Sequence, residues 1–182
     1  MTLNRRTFYV LAALVVLLDQ ATKAWLRAAL PLGESVRLWP GVFHLTHTQN
    51  RGAAFSLLEG RTSWLAFAAL VVVGVIIYAI ESRGTRARLP VSLALALALP
   101  LGGAMGNFVD RVRLGYVTDM FDAVVINFPV FNVADSAITV GIAVLLWRTL
   151  VSKDEGQIVA VSNGGDRGGV PVAVAPEDAP AA

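Results

Sequence analysis

Four aspartates, Asp110, Asp119, Asp122 and Asp135, fall within residues 102–135 (GGAMGNFVDRVRLGYVTDMFDAVVINFPVFNVAD), beside two arginines, Arg111 and Arg113, in an otherwise apolar chain. Two carboxylates brought close together cannot both ionise cheaply and share a proton. One can then activate a water while the other protonates or hydrogen-bonds a carbonyl oxygen, which is the chemistry of aspartic proteases. Asp110 has Arg111 next to it, and Asp19 has Lys23 one helical turn away, so each has a candidate partner. Asp119 and Asp135 have none so obvious, and they are the candidate pair. The plainer alternative is that Asp135 caps a helix and Asp119 is a solvated loop acid.

The elements that must position these residues follow from periodicity. Gly103, Gly106, Asn107 and Asp110 share one face of a helix, and Asn132, Asp135 and Thr139 repeat the pattern. Polar stripes on apolar helices face a bundle interior rather than lipid. Four apolar spans are expected, at about residues 8–30, 64–80, 89–109 and 130–150, each near the length that crosses a bilayer. The first follows Arg5 and Arg6 as a signal peptide would. Its apolar run nevertheless continues through Asp19, Gln20, Lys23 and Trp25 without a small-residue cleavage site, which predicts a retained helix. Asp19 and Lys23, at i and i+4, read as a neutralising ion pair near its outer end. Gly102 and Gly106 form a small-xxx-small pair suited to close helix packing.

Residues 31–62 break the pattern, with Pro31, Gly33, Pro40, Gly41 and Gly60 as punctuation and a rough alternation over residues 42–48. The expected architecture is an all-α membrane protein of four transmembrane helices with a small extracytoplasmic β-rich cap. Asp119 is placed in the loop between the third and fourth spans. His44 and His47, oddly spaced on a strand, point to opposite faces and make a poor metal pair, so no metal site is expected. The segment TQNRGAAF (residues 48–55) either brings its backbone close to a ligand or is a plain turn.

A chain of 182 residues that is 55% hydrophobic, with a mean hydropathy of +0.63, is too apolar to solvate its own surface and belongs in a membrane. A net charge of +2 without a long basic run gives nucleic acid binding no support. The lack of cysteine removes disulfides, thiolate metal sites and thiol nucleophiles. Arg5 and Arg6, then Arg83, Arg86 and Arg88, then Arg148 and Lys153 belong to one side, which predicts both termini in the cytoplasm and the cap outside. Arg37, Arg51, Arg61, Arg111 and Arg113 fall on the opposite side. Residues 152–182, rich in Gly, Pro, Ala and Val, are expected to be a disordered cytoplasmic tail after a peptidase domain of residues 1–151.

DQATK (19–23), TQNRGAAF, GGAMGNFVDR (102–111), VTDMFD (117–122) and FNVADSAI (131–138), in this order on four spans, closely resemble the motifs of the bacterial lipoprotein signal peptidases, the signal peptidase II family. The resemblance covers about residues 8–150. It implies a multi-pass aspartic endopeptidase of the bacterial inner membrane, without a cofactor. Such an enzyme removes the signal peptide of diacylglyceryl-modified prolipoproteins just before the lipidated cysteine, near the extracytoplasmic surface. By motif position, it implies that Asp119 and Asp135 are catalytic, supported by Asp19, Lys23, Asn50, Gly52, Asn107, Asp110, Arg111 and Asn132. It also implies lipidated prolipoproteins and membrane lipid as partners and the cyclic peptide globomycin as an inhibitor. Met120 departs from the family, which usually has an aromatic there. From other classes, a small ion-coupled transporter would also place Asp and Lys inside a membrane, although no inverted repeat is visible; a non-catalytic scaffold would leave the acidic cluster unexplained.

Overall fold

The computed structural model describes residues 1–52, 61–84 and 88–163. Ala53, Ala54 and Phe55 of the TQNRGAAF motif, Arg86 of the basic connection and residues 164–182 of the expected tail lie outside the described residues. Residues Met1–Arg148 form one compact unit and Thr149–Ala182 a second.

Among the described residues, four helices are long and apolar enough to cross a membrane: α1 (Arg5–Ala29), α2 (Thr62–Glu81), α3 (Val91–Leu114) and α4 (Val133–Asn163), the last over its portion Val133–Val151. Asn4 caps α1, its side chain accepting the Thr7 amide at 2.9 Å. α3 ends at Gly115, whose φ of 77° closes the helix with an N–H to the Arg111 carbonyl. The third and fourth spans therefore differ from the expected bounds at their site ends. α3 continues through Asp110, Arg111 and Arg113, and α4 begins at Val133 rather than about residue 130. At its far end α4 runs past Ser152 to Asn163.

α3 is the most buried of the four helices. Its small residues, Ala94, Ala98, Gly102, Gly103 and Gly106 among them, let neighbouring backbones approach, and a core of Phe8, Ala12, Val73, Ile76, Ile80 and Leu101 fills between α1, α2 and α3. A side chain at Gly102 would sit 2.6 Å from the Ala12 carbonyl oxygen of α1, and one at Gly141 of α4 would collide with the Pro100 ring. Leu14, Leu17, Trp64, Phe67, Val75, Tyr78 and Trp147 point outward, as they would toward lipid.

The described residues also form two small antiparallel sheets. β1 (Thr2–Leu3) pairs with β4 (Leu89–Pro90) at the end where α1 begins. At the other end β2 (Ser35–Trp39), β3 (Phe43–Asn50) and β5 (Val117–Asp122) form a three-stranded sheet in that order. The β-rich segment after the first span thus exists, but it recruits a strand from the α3–α4 connection. Asp119 is not a loop residue: it lies on β5 opposite Thr48 of β3 and is only 2% exposed. Between β5 and α4 a short 3-10 turn (Val124–Ile126) leads back to Phe131, which exchanges backbone hydrogen bonds with Phe121. That return lays the start of α4 against β5.

Candidate active site

Asn132 and Asp135 build the first turn of α4 as a reciprocal cap. The Asn132 Oδ1 accepts the Asp135 amide at 3.0 Å, and the Asp135 Oδ2 accepts the Asn132 amide at 3.2 Å. The helix-capping role for Asp135 is therefore real, and it coexists with a second one. The Asn132 side chain also donates from Nδ2 to the Asp119 Oδ1 at 2.6 Å, so one asparagine ties together the two carboxylates that lacked obvious partners. Asn50, at the end of β3, donates to the other Asp119 oxygen at 3.0 Å. Asn107 of α3 donates to the Asp135 Oδ1 at 2.8 Å. Every oxygen of the two carboxylates thus receives an N–H.

Burial pushes the Asp119 carboxyl up to about 7, with the nearby charge of Asp135 adding to the rise; the amides of Asn50 and Asn132 and the Lys23 charge only partly oppose it. A carboxyl so placed holds a proton near neutrality, as a general acid needs.

Behind Asn107 lies a buried charge cluster. Lys23 is fully enclosed and gives its three N–H groups to Asp19 Oδ2 (2.8 Å), Asp110 Oδ2 (3.1 Å) and Asn107 Oδ1 (2.8 Å). The i, i+4 pair of Asp19 and Lys23 is as expected. The pairing of Asp110 with Arg111 is not: adjacent helical residues point about 100° apart, so Asp110 turns inward to Lys23 while Arg111 turns to the cavity. Arg111 instead donates to the carbonyl oxygens of Gly52 (3.3 Å) and Asn107 (3.4 Å). Asp110 also accepts the Thr118 amide of β5 at 3.2 Å, and Asp19 accepts the Ala134 amide of α4 at 3.0 Å. Gly52 fixes Asn50 by donating its amide to the Asn50 Oδ1 at 2.9 Å.

The structure brings together the ten site residues that the resemblance implies: Asp119, Asp135, Asn50, Asn107, Arg111 and Asn132 around the carboxylates, with Asp19, Lys23, Asp110 and Gly52 one contact further out. Gln20 was not singled out, yet its Nε2 lies 3.0 Å from Asp110 Oδ1, 3.1 Å from the Gly106 carbonyl and 3.2 Å from Asp19 Oδ2. Its place beside Asp19 on α1 was the available signal. Thr118 was also missed; its hydroxyl accepts from Arg27 at 2.9 Å. Met120 of β5, the departure from the family's usual aromatic, is buried at 1% exposure. Among the described residues, no cluster of three or more His, Asp or Glu is arranged to hold a metal ion.

A cavity of about 480 Å³ opens on the pair, with Asp119, Asp135, Arg111 and Asn50 on its polar side and Phe128, Phe131, Ile138 and Val140 among its apolar walls. Carboxylates at one end of a mostly apolar groove suit hydrolysis of a bond within a largely apolar ligand.

A profile of the family described as Signal peptidase (SPase) II matches residues 11–151. The chain is 48% identical over 147 residues to the lipoprotein signal peptidase of Gloeobacter violaceus, covering 80% of this chain and 83% of that one. It is 45% identical over 140 residues to that of Brevibacillus brevis, covering 76% and 91%. Two solved structures described as bacterial membrane enzymes superimpose with TM-scores of 0.71 and 0.70 at 26% and 29% identity, covering 92% and 80% of this chain and 95% and 94% of theirs.

Proposed function

The chain belongs to the signal peptidase II family, and we propose that Asp119 and Asp135 are the catalytic pair with which it hydrolyses its substrate. The protein is a membrane protease that removes the signal peptide from prolipoproteins. The observation that carries the assignment is Asn132, which hydrogen-bonds Asp119 through Nδ2 and Asp135 through Oδ1 and its backbone amide, behind two acids that both line the cavity.

The environments of the two acids suggest their roles. Asp119 is almost completely buried and holds the proton; Asp135 is half-buried, lines the cavity from the first turn of α4 and accepts from Asn107 and Asn132, which assigns it the part of the base. Asp135 draws a proton from water as the water oxygen attacks the scissile carbonyl carbon, while Asp119 gives its proton to the carbonyl oxygen. Collapse of the tetrahedral diol breaks the C–N bond; Asp135 returns its proton to the leaving amine and Asp119 recovers one from a hydroxyl.

Basic residues favour placing both termini in the cytoplasm of a bacterial inner-membrane protein, with the three-stranded sheet and the dyad at the extracytoplasmic surface. There a diacylglyceryl chain stays in lipid while the peptide bond before the modified cysteine meets water. The apolar groove also suits globomycin, a cyclic peptide. The test is cleavage of a lipidated prolipoprotein by the purified protein, with and without Asp119→Asn. Substantial cleavage by the variant would remove Asp119 from the chemistry.

A further inference from the structure

We propose that Lys23 is a positioning residue for the reaction: its ammonium dictates which way round the Asn107 amide sits, and thereby holds an N–H against Asp135. The proposal rests on the reading of Asp119 and Asp135 as the catalytic pair. An ammonium has three donors and no acceptor. Neutralisation uses two of them, on Asp19 and Asp110, and the third reaches across to Asn107 Oδ1 at 2.8 Å. Asn132 Nδ2 approaches the same oxygen at 3.2 Å, so both contacts require an acceptor there. The amide nitrogen is left facing Asp135 Oδ1 at 2.8 Å.

The reversed amide would set its NH2 against the Lys23 ammonium and the Asn132 NH2, two donor–donor contacts in a site where Asn107 is 6% exposed and Asn132 fully buried. It would also set an oxygen against Asp135, tolerable only with a proton between them. Lys23 therefore excludes the arrangement that would park the shared proton on the Asn107 side of Asp135. The proton is kept on the Asp119 side, and the Asp135 carboxylate stays available to water. The dyad alone leaves this direction open, because a protonated Asp135 could donate to the oxygen of a reversed amide as readily as a carboxylate accepts from its NH2.

The charged groups around Asp135 are Asp119 on β5, Arg111 and Asp110 on α3, and Lys23 and Asp19 on α1. Removing Lys23 alone would strand two buried carboxylates, so the test holds the charge constant. Asp19, Asp110 and Lys23 sum to one negative charge, and Lys23→Met combined with Asp110→Asn leaves the same single charge on Asp19. Lys23→Gln with Asp110→Asn has that charge too and retains an N–H for Asn107. Asn107→Leu leaves the ion cluster whole and removes the amide.

Cleavage is measured across about pH 5 to 9. The expected result is that the Met double variant and Asn107→Leu move the acidic limb of kcat up by about one pH unit, a roughly tenfold loss on that limb, with KM little changed. The Gln double variant keeps the parent's limb. A purely structural role for Lys23 would reduce the folded fraction and leave the limb in place. An unmoved limb in the Met double variant or in Asn107→Leu overturns the proposal, as does a Gln double variant that moves as far as the Met one. Should the Met double variant not fold, the Gln double variant and Asn107→Leu decide the matter between them. Asp119→Asn and Asp135→Asn run alongside: activity in either sinks the dyad, whereas inactive dyad variants with unmoved limbs sink only the role of Lys23.

Discussion

Asp119→Asn should make the protein more stable at alkaline pH while destroying its activity. The Asp119 carboxyl titrates near 7 in the folded protein against an ordinary 3.8, so between these values the folded state holds a proton that the unfolded chain has released. Stability is then fully present below about pH 4, falls as pH rises, and stays low above about pH 7. The fall is about 1.4 kcal/mol per pH unit over about three units, on the order of 4 kcal/mol in all. Asparagine cannot ionise and escapes this loss, but it accepts through one oxygen only. Asn50 and Asn132 are both pinned, by the Gly52 and Asp135 amides, so one of their NH2 groups must face the new amide nitrogen at a cost of about 1–3 kcal/mol. The balance favours the variant by about 1–3 kcal/mol at pH 8 and the parent, or neither, at about pH 4–5. Thermal unfolding of both proteins in one detergent across that range should show melting curves that cross. A parent whose melting temperature holds steady from about pH 5 to 8, or a variant less stable than the parent at pH 8, would refute the account of Asp119 as a carboxyl buried against its interest.

Asp119→Asn and Asp135→Asn should each lower cleavage by about a thousandfold or more, and the double variant should be scarcely worse, since groups that act as a unit are not additive; kinetics on all three variants check this. With acid and base both assigned to the proposed pair, cleavage should persist in excess chelator, which a titration with EDTA measures. Gly102→Ala should destabilise the protein by about 1–3 kcal/mol through the clash of its Cβ with the Ala12 carbonyl, read as a drop in melting temperature in detergent. Truncation after Val151, where the family match ends, should leave cleavage intact in a reconstituted assay.

What could be read from the sequence was what depends on local spacing. Asp19 and Lys23 lie one turn apart on one helix, and Asn132 and Asp135 stand at the spacing of a capping box, so both pairs follow from helix geometry alone. The partner of Asp110 did not follow, because nearness along the chain suggested Arg111 while the helix sends neighbours in different directions; the true partner belongs to α1. Strand β5 was hidden for a related reason. Its aspartates are poor strand formers, and its hydrogen-bonding partner is β3, on the far side of α2 and α3 in the sequence. Once β5 exists, Asp119 becomes buried and its chemistry changes, so the missed strand was also the missed cause of its high pKa.

The polar stripe on α3 shows why the site and the fold cannot be separated. A Cβ at Gly106 would lie 2.5 Å from the Asp19 carboxylate, so its absence admits Asp19 to the helix interface. Asp19 in turn spends one oxygen on Lys23 and the other on the Ala134 amide, which holds the first turn of α4 against α1. Asn107, one residue on from Gly106, reaches Asp135 in that same turn, and Asp110, one turn further, holds both Lys23 and the Thr118 amide beside Asp119. Each acid of the proposed pair is thus fastened to α3 by a different residue of one stripe. Lys23 is the group those fastenings share, so the packing of α1 on α3 fixes where α4 and β5 present their carboxyl groups.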